Sequence, residues 1–404
     1  MSLIVYAIPV FFLLIGVEVL IAKAKKLSYY RYHDAITNLS CGIGSQVSGL
    51  FMKAVTVLTY FKLYEISPWK DKIPNAWWVW VFLFFAVDFF YYWFHRLAHE
   101  ISFMWGSHAV HHQSEEYNFT VALRQAWYQG AFSFVFYLPL AIMGFRPEMF
   151  FVISSLVTLY QFWIHTRLIG KMHPAIEFFF NTPSHHRVHH GLNPKYIDRN
   201  HAGTFIIWDR MFGTFQVEDE EVVYGITKQP KSWNPIWLNF EYWIDLAHDI
   251  FSVHKIKNAV LLFFKMPGWK PAELGGMPPY QEVTTKTFHK YDTEISPQLN
   301  QYVFVQFVFV LLGTTAFLLT QKHPLLHENF LLRFSLATFI IISLLSFGGI
   351  FEKRNWVPLV EIARWIFLIT ICALMMSDVY FTTSVSILAF VSLAVFSRFR
   401  KEFT

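Results

Sequence analysis

The chain is 404 residues long, and 54% of its residues are hydrophobic and 20% aromatic, while only 15% are charged. Soluble domains carry about a quarter charged residues. This composition therefore excludes a disordered protein, a coiled coil and a disulfide scaffold, and it favours a membrane protein. The formal net charge of +5 is too small to indicate nucleic-acid binding, and the two cysteines are too few for a disulfide framework or a cysteine metal site.

The predicted elements, in chain order, are apolar stretches that we interpret as membrane helices. Lys23, Lys25 and Lys26 follow the first stretch at once, and such basic residues favour the cytosolic side of a membrane. We therefore predict an uncleaved anchor that ends in the cytosol, and a cytosolic polar segment from His165 to Gln298. The nine predicted spans cover residues 3–22, 45–61, 77–94, 130–144, 150–164, 302–320, 334–351, 365–376 and 381–396.

Histidine is the clustered residue type, because 12 of the 18 histidines lie between His95 and His201. Three groups have the spacing i, i+4 or i, i+3, i+4, which on a helix turns the imidazoles of a group toward one face. Eight such ligands are too many for one tetrahedral zinc ion and suit two metal ions with open positions. The groups are His95 and His99, then His108, His111 and His112, then His186, His189 and His190.

Further histidines receive different interpretations. His165 ends the fifth predicted span on the same side as the groups, so we predict a ninth ligand there. His185 lies off the face of the third group and is expected either behind the ligands or in solvent. A lone histidine near a membrane surface is more often hydrogen-bonded than ligating. That interpretation applies to His33, His173, His201, His248, His254, His289, His323 and His327.

Neutral imidazole binds both zinc and iron, so the ligand type does not identify the metal. The position of the groups at the ends of apolar helices favours iron, since a hydrocarbon chain could enter there from the bilayer. Attack on an unactivated C–H bond requires a redox metal and oxygen. The zinc peptidase motif H-E-x-x-H is absent, because Glu100 follows His99 instead of lying inside the pair.

Acidic and other polar residues near the groups are candidates for supporting roles. Asp88 lies inside an apolar span on the same helix face as His95 and His99. We expect its carboxylate to accept the free N–H of a ligand imidazole, the alternative being a buried hydrogen bond between helices. The segment 205–215 is expected to pack against the core. Spacing does not rank Glu100, Glu115, Glu116, Arg124 and Gln125, which could contact ligands, substrate or cofactor.

The histidine pattern resembles that of the fatty acid hydroxylase/sterol desaturase superfamily of membrane di-iron enzymes. Longer strings are similar to its alkylglycerol monooxygenase branch. The resemblance implies two iron ions, O2, tetrahydrobiopterin as electron donor, and hydroxylation of an ether-bearing carbon to give a fatty aldehyde and glycerol. It also implies that the eight grouped histidines bind iron and that Glu100 occupies a functional acidic position. The strings are 88–100, 120–125, 161–166, 181–191 and 206–215.

The sequence thus predicts an all-α, polytopic membrane helical bundle with a cytosolic, histidine-rich di-iron segment. The predicted function is an oxygen-dependent lipid monooxygenase, or alternatively a sterol or fatty acyl hydroxylase or desaturase. A membrane metal transporter is disfavoured, because the spans carry few polar residues along a path. The predicted partners are a lipid, the membrane (endoplasmic reticulum or bacterial inner membrane) and an external electron donor, since nucleotide-binding glycine motifs are absent. The predicted segments are 1–76 (N-terminal spans), 77–230 (di-iron core), 231–300 (cytosolic loop) and 301–404 (C-terminal spans).

Overall fold

The structure is a computed structural model that describes residues 3–376 and 378–403. Within those ranges every regular element is helical, and the β pairing is limited to one isolated antiparallel bridge between Gly191 and Tyr224. The predicted all-α fold is confirmed. The helices are α1 (Leu3–Ala24), α2 (Tyr32–Glu65), α3 (Trp77–Glu100), α4 (Ser102–Trp105), α5 (Ala109–His112), α6 (Phe119–Ala122), α7 (Gln129–Ile142), α8 (Pro147–Trp163), α9 (Pro174–Phe179), α10 (Pro183–His189), α11 (Ile207–Phe212), α12 (Pro235–Ser252), α13 (Ile256–Phe264), α14 (Pro297–Leu319), α15 (Pro324–His327), α16 (Phe330–Phe351), α17 (Val357–Ile371) and α18 (Val379–Ser397).

Two compact units make up the chain. The first contains the chain up to Ser45 together with Gly49–Pro230 and Asn239–Lys290. The second contains Gln46–Ser48, Lys231–Leu238 and the described residues from Tyr291 onward. All nine predicted metal ligands belong to the first unit. The four functional segments drawn from the sequence remain a prediction.

Seven helices among the described residues are long and apolar enough to cross a membrane, so the chain is a multi-pass membrane protein. The prediction of nine spans is wrong, because the two predicted spans at 130–144 and 150–164 form a hairpin of shorter helices. Its helices α7 and α8 have 14 and 17 residues. At 1.5 Å per residue they reach about 21 and 26 Å, which is less than the bilayer core of about 30 Å. The seven spans are Leu3–Ala24, Tyr32–Glu65, Trp77–Glu100, Pro297–Leu319, Phe330–Phe351, Val357–Met376 and Val379–Ser397.

Packing against α3 explains why the α7–α8 hairpin is so apolar. Leu83 and Val87 of α3 share one buried cluster with Leu140 of α7 and with Ile153 and Val157 of α8. Close packing of such side chains stabilises the contact between the helices. The hairpin therefore supports α3, the helix whose last turns carry His95 and His99.

The second unit contains a buried polar network within its spanning helices. Glu361 and Arg364 of α17 are fully buried and form an ion pair, with Arg364 Nε 2.7 Å from Glu361 Oε1. The Ser346 hydroxyl of α16 donates to Glu361 Oε1 at 2.5 Å, and the Tyr302 hydroxyl of α14 donates to Glu361 Oε2. The pair thus joins three helices. The span predicted from the sequence began at residue 365, so it excluded both residues of this ion pair.

Candidate metal centre

The candidate ligands come from helices that end at the site. A helix end lets the chain enter and leave within a few residues, so imidazoles from distant parts of the sequence can meet in a small volume. The positions are His95 and His99 in the last turns of α3, His108 at the N-cap of α5, His111 and His112 within α5, His165 just after α8, His186 and His189 within α10, and His190 at the C-cap of α10.

The nine histidines form two adjacent groups, in each of which one ligand atom per residue lies within 4.8 Å of the others. All nine side chains belong to residues that are at most 5% exposed. His165, the predicted ninth ligand, is a member of the second group. The five-histidine group contains His95, His99, His108, His112 and His189, and the four-histidine group contains His111, His165, His186 and His190.

The expectation that each sequence triplet would turn toward one metal is wrong. In α5, His112 belongs to the five-histidine group, while the preceding His111 belongs to the four-histidine group. His189 and His190 divide in the same way. An α-helix turns by about 100° per residue, so neighbours in sequence point to different sides. Each triplet therefore lies between the two groups and contributes to both.

Backbone carbonyl oxygens fix the orientation of four imidazoles. A carbonyl oxygen can only accept a hydrogen bond, so the Nδ1 atom that meets it carries the proton. In a neutral imidazole Nε2 then keeps its lone pair, which is the form that binds a metal. The pairs are His95 with His201 O at 2.7 Å, His111 with Arg124 O at 2.8 Å, His165 with Gln161 O at 2.7 Å, and His189 with Arg199 O at 2.9 Å.

Two of these imidazoles direct their lone pairs at each other. His111 Nε2 and His165 Nε2 are 3.2 Å apart, and both rings already use Nδ1 as the donor. Neither Nε2 carries a proton, so in neutral rings two hydrogen-bond acceptors face each other. Such a pair is stabilised by a cation between or beside the nitrogens. The donor set therefore fits a metal ion.

Buried ring nitrogens without partners lead to the same conclusion. Nε2 of His99, His189 and His190 lacks a hydrogen-bond partner among the described residues. Leaving a buried polar atom unpaired costs about 1–3 kcal/mol. These three Nε2 atoms lie within the two groups and are available to bind metal ions.

Burial keeps the imidazoles outside the spanning helices neutral. Desolvation lowers the pKa of His108 to about 4, although a hydrogen bond with Gln129 opposes it, and lowers the pKa of His165 to about 3. Desolvation also holds the pKa of His112 and His190 well below the ordinary value of 6.5, and the neighbouring imidazoles add to the effect. The unprotonated form required for metal binding is therefore the form present at neutral pH.

Asp198 is a carboxylate beside a candidate ligand, and the sequence did not identify it. Its Oδ1 lies 3.4 Å from His99 Nδ1. Burial raises the pKa of Asp198 to about 7, as does the charge of Glu100, while Arg199 lowers it. Asp198 has φ of 56°, in the left-handed region that aspartate tolerates better than most residues. It lies in an irregular loop after α10, where helical periodicity offers no signal.

Among the described residues, Asp88 has no hydrogen bond or ion pair with an imidazole, so the expected hydrogen bond was wrong. Its carboxylate accepts hydrogen bonds from Thr204 N at 2.7 Å, from Phe205 N at 3.0 Å and from Trp208 Nε1 at 3.0 Å. The loop approaches so closely that a Cβ atom on Gly203 would lie 2.8 Å from Asp88 Oδ1. Asp88 therefore anchors the loop before α11, as in the alternative of a buried hydrogen bond.

The anchored loop reaches the metal centre through His201. Asp209 of α11 accepts hydrogen bonds from His201 N and Ala202 N, both at 2.8 Å, and from the Thr214 hydroxyl. The carbonyl of His201 in turn accepts from His95 Nδ1. His201 was expected near the surface but is fully buried, with its ring 5.1 Å from that of His99, and it belongs to neither group.

The other polar candidates have diverse surroundings. Glu100 pairs with Arg96 at 2.8 Å, its side chain is 38% exposed, and within the described residues no hydrogen bond joins it to a histidine. Its catalytic role remains a prediction. Arg124 is buried and donates to Val110 O, Asn38 Oδ1 and Gln113 Oε1. Glu115 and Glu116 form ion pairs with Arg31. The Gln125 side chain donates a hydrogen bond to Ala122 O. His185 is buried but belongs to neither histidine group.

One cleft is lined by members of both groups and by residues from segments outside the spanning helices. Its histidine wall contains His99, His112 and His189 of the five-histidine group and His190 of the four-histidine group. The cleft is thus an access path to the candidate metal sites. Its other lining residues are Trp105, Gly191, Leu192, Ile197, Asp198, Gly225, Ile226, Thr227, Pro267 and Tyr280.

Comparisons with known proteins agree with this geometry. The family model "Fatty acid hydroxylase" matches residues 80–214, the range that contains all nine histidines. An alkylglycerol monooxygenase of Xenopus tropicalis is 38% identical over 96% of this chain and 85% of its own length. Those of Danio rerio and Homo sapiens are also 38% identical, over 89% and 83% of this chain and 79% and 74% of their own lengths. No solved structure matches.

The similarity extends well beyond the strings between residues 80 and 230 that carry the sequence resemblance. It covers both compact units and nearly the whole chain. The chain therefore belongs to the fatty acid hydroxylase family of membrane-embedded lipid monooxygenases, and its relatives over most of its length are alkylglycerol monooxygenases.

Proposed function

We propose that this chain is a di-iron enzyme that hydroxylates the ether-bearing carbon of alkylglycerols. The reaction consumes one O2, two electrons and two protons, inserts one oxygen atom into a C–H bond and releases the other as water. The resulting hemiacetal breaks down to a fatty aldehyde and glycerol. The names of the relatives supply the substrate class.

The contact between His111 and His165 carries the proposal. Two buried imidazoles with their Nδ1 protons donated to carbonyls direct Nε2 lone pairs at each other across 3.2 Å. This arrangement is favourable only with a cation. The five-histidine group lies beside it, so the chain offers two sites for two ions.

The choice of iron rests on chemistry, and the number of ligands indicates two ions. Bound iron supplies the redox chemistry with O2 that oxidation of a C–H bond requires. Five and four nitrogen ligands together exceed what one tetrahedral zinc ion needs. The protein holds these nitrogens in place: carbonyls fix the tautomers, and the loop anchored by Asp88 and Asp209 supports His95.

An external donor supplies the electrons, and tetrahydrobiopterin is our candidate because the family resemblance implies it. We assign the site to the cytosolic side, at the endoplasmic reticulum or the bacterial inner membrane. Lys23 in the last turn of α1, together with Lys25 and Lys26 just after the helix, supports that side. This assignment stays the same although α7 and α8 are not among the seven spans. Two crossings that form a hairpin begin and end on the same side of the membrane, so their removal does not change the orientation of the other spans.

The test is an assay of the purified full-length protein in mild detergent or lipid vesicles. With O2 and a tetrahydropterin it is expected to convert an alkylglycerol to a fatty aldehyde. A panel of sterols and fatty acyl lipids tests the alternative hydroxylase or desaturase activity. Activity only on that panel would contradict the proposed substrate.

A pair of variants links activity to the histidines. His111→Ala removes a member of the four-histidine group and is expected to abolish activity and lower bound iron. His248→Ala is the matched control, because His248 is exposed and belongs to neither group. Full activity and iron content in His111→Ala would remove this residue from the ligand set.

A further inference from the structure

The cleft beside the two histidine groups carries polar side chains that the proposed ligand set does not use. Its lining includes His99 from the histidine groups and, besides the histidines, Asp198, Thr227 and Tyr280. These three residues provide a carboxylate, an aliphatic hydroxyl and a phenol. None of them belongs to a spanning helix.

Asp198 retains acceptor capacity toward the cleft. One carboxylate oxygen, Oδ1, lies 3.4 Å from His99 Nδ1. In the described part of the chain, Oδ2 has neither a hydrogen bond nor an ion pair, and the side chain is 27% exposed. Ionised or protonated, a carboxyl group has lone pairs on both oxygens, so acceptor positions remain for a ligand. The free donors that best match them are hydroxyl groups.

Tyr280 lies close enough to Asp198 to respond to its charge. The pKa of the Tyr280 phenol is raised, first by burial and then by the negative charge of Asp198. The segment that carries Tyr280 is attached to the core by Lys290, whose Nζ lies 2.6 Å from Glu116 Oε1. Thr285 adds a hydrogen bond to Glu221 at 3.0 Å. The phenol is therefore held at the cleft by contacts on the same segment.

The chemistry of the reaction limits where the polar head of an alkylglycerol can bind. The two free hydroxyl oxygens are four and five bonds from the carbon that is oxidised. At ordinary bond lengths they lie no farther than about 6 Å from it. Because that carbon must reach the metal centre, the groups that bind the hydroxyls must adjoin the histidines. Asp198 meets this condition through its contact with His99.

We propose that this cleft binds the vicinal diol of the lipid substrate, with Asp198 accepting hydrogen bonds from the hydroxyls and Tyr280 and Thr227 completing the site. This inference rests on the proposed function and assigns its substrate specificity to named residues. A reductant is the competing occupant. It is less favoured because an electron donor need not place its polar groups so close to the reacting carbon.

The experiment compares an alkylglycerol with an alkyl ethylene glycol, which has the same ether carbon and one hydroxyl fewer. For Tyr280→Phe we expect the KM of the alkylglycerol to rise about fivefold, which is the effect of one hydrogen bond. The KM of the analogue and both kcat values should change by less than twofold. Tyr380→Phe is the matched control, because Tyr380 is 85% exposed on α18.

Asp198→Asn is expected to raise the KM of the alkylglycerol more than tenfold and to reduce its preference over the analogue. Iron content and anaerobic equilibrium binding of both lipids are measured for each variant, because Asp198 also contacts His99. Weaker binding of the alkylglycerol alone, at unchanged iron content, supports the diol site. Loss of iron together with equal effects on both lipids would overturn it and leave Asp198 a support for His99.

Three further outcomes are decisive. If the KM of the tetrahydropterin rises in Tyr280→Phe and Thr227→Val while both lipids keep theirs, the cleft serves the reductant and the diol site is wrong. If the unmodified enzyme oxidises no alkylglycerol, the proposed function fails and the diol site fails with it. An active enzyme whose three variants all keep the preference for the diol contradicts the diol site alone.

Discussion

Replacement of Asp88 by asparagine tests whether the loop before α11 supports the metal centre. The substitution keeps the size of the side chain and one oxygen, which can still accept from Thr204 N. The amide can also turn so that this oxygen accepts from Phe205 N and Trp208 Nε1, which now donate at 3.0 Å each, and its NH2 then faces Thr204 N. Hydrogen bonds to a charged group contribute about 1.5–3 kcal/mol each, so the substitution costs at least the loss of one of them.

The local effect should extend to iron. The loop that Asp88 anchors carries the His201 carbonyl that accepts from His95 Nδ1. Loss of such a support for a metal-bound histidine typically lowers metal affinity about 10-fold to 100-fold. We therefore expect Asp88→Asn to bind iron more weakly and to have a lower Tm. Iron retention is measured during dialysis against a graded series of chelator concentrations, and Tm is measured by thermal unfolding in detergent.

The control is Glu282→Gln, the same chemical change at an exposed position. It is expected to match the unmodified protein in both measurements. The reasoning is refuted if Asp88→Asn retains iron and unfolds like this control. A lower Tm with normal iron retention would limit Asp88 to stability and separate it from the metal centre.

Three other substitutions test separate parts of the structure. Gly203→Ala should lower Tm, because the new Cβ atom would lie 2.8 Å from a carboxylate oxygen of Asp88. Gly130→Ala is the control and should leave Tm unchanged, because no atom lies within 4 Å of the position of its Cβ. Equal Tm values for the two variants would contradict the close approach. Glu361→Gln should destabilise the protein by about 3–5 kcal/mol in chemical unfolding, since it leaves buried Arg364 without its ion-pair partner; an unchanged unfolding midpoint would refute this. His165→Ala should lower bound iron in elemental analysis, because it removes one of four ligands from its group, and full iron content would exclude it as a ligand.

The sequence predicted the composition of the candidate site better than its arrangement. Histidine spacing identified eight residues, and the end of an apolar stretch identified His165, because clustering of a rare residue type is visible without coordinates. The division of each triplet between two groups depends on how short helices are oriented in space. That orientation is set by contacts between distant segments, which spacing does not contain.

The partners of Asp88 and the position of Asp198 could not be predicted from the sequence, because they too depend on contacts between distant segments. Asp88 lies on the same helix face as His95, yet its partners are 116 to 120 residues away in sequence. Asp198 lies in an irregular loop with no periodic signal. The carbonyl acceptors of four histidines are backbone atoms, which residue identity does not reveal.

Hydropathy predicted the membrane helices but overcounted them. The α7–α8 hairpin is as apolar as a span because it packs against α3, and a hydropathy pattern does not distinguish burial in protein from burial in lipid. The reverse occurs at Glu361 and Arg364. Two charges shortened the predicted span, although in the structure they neutralise each other inside α17.

The most direct test of the account is the metal content and spectroscopy of the active, full-length protein. Two buried histidine groups predict about two iron ions per chain, one for each group, in Mössbauer spectra of protein enriched with iron-57. The two ions should be lost together with activity when His111 is replaced by alanine. A single bound metal per active chain, or zinc without iron at full activity, would contradict the di-iron centre.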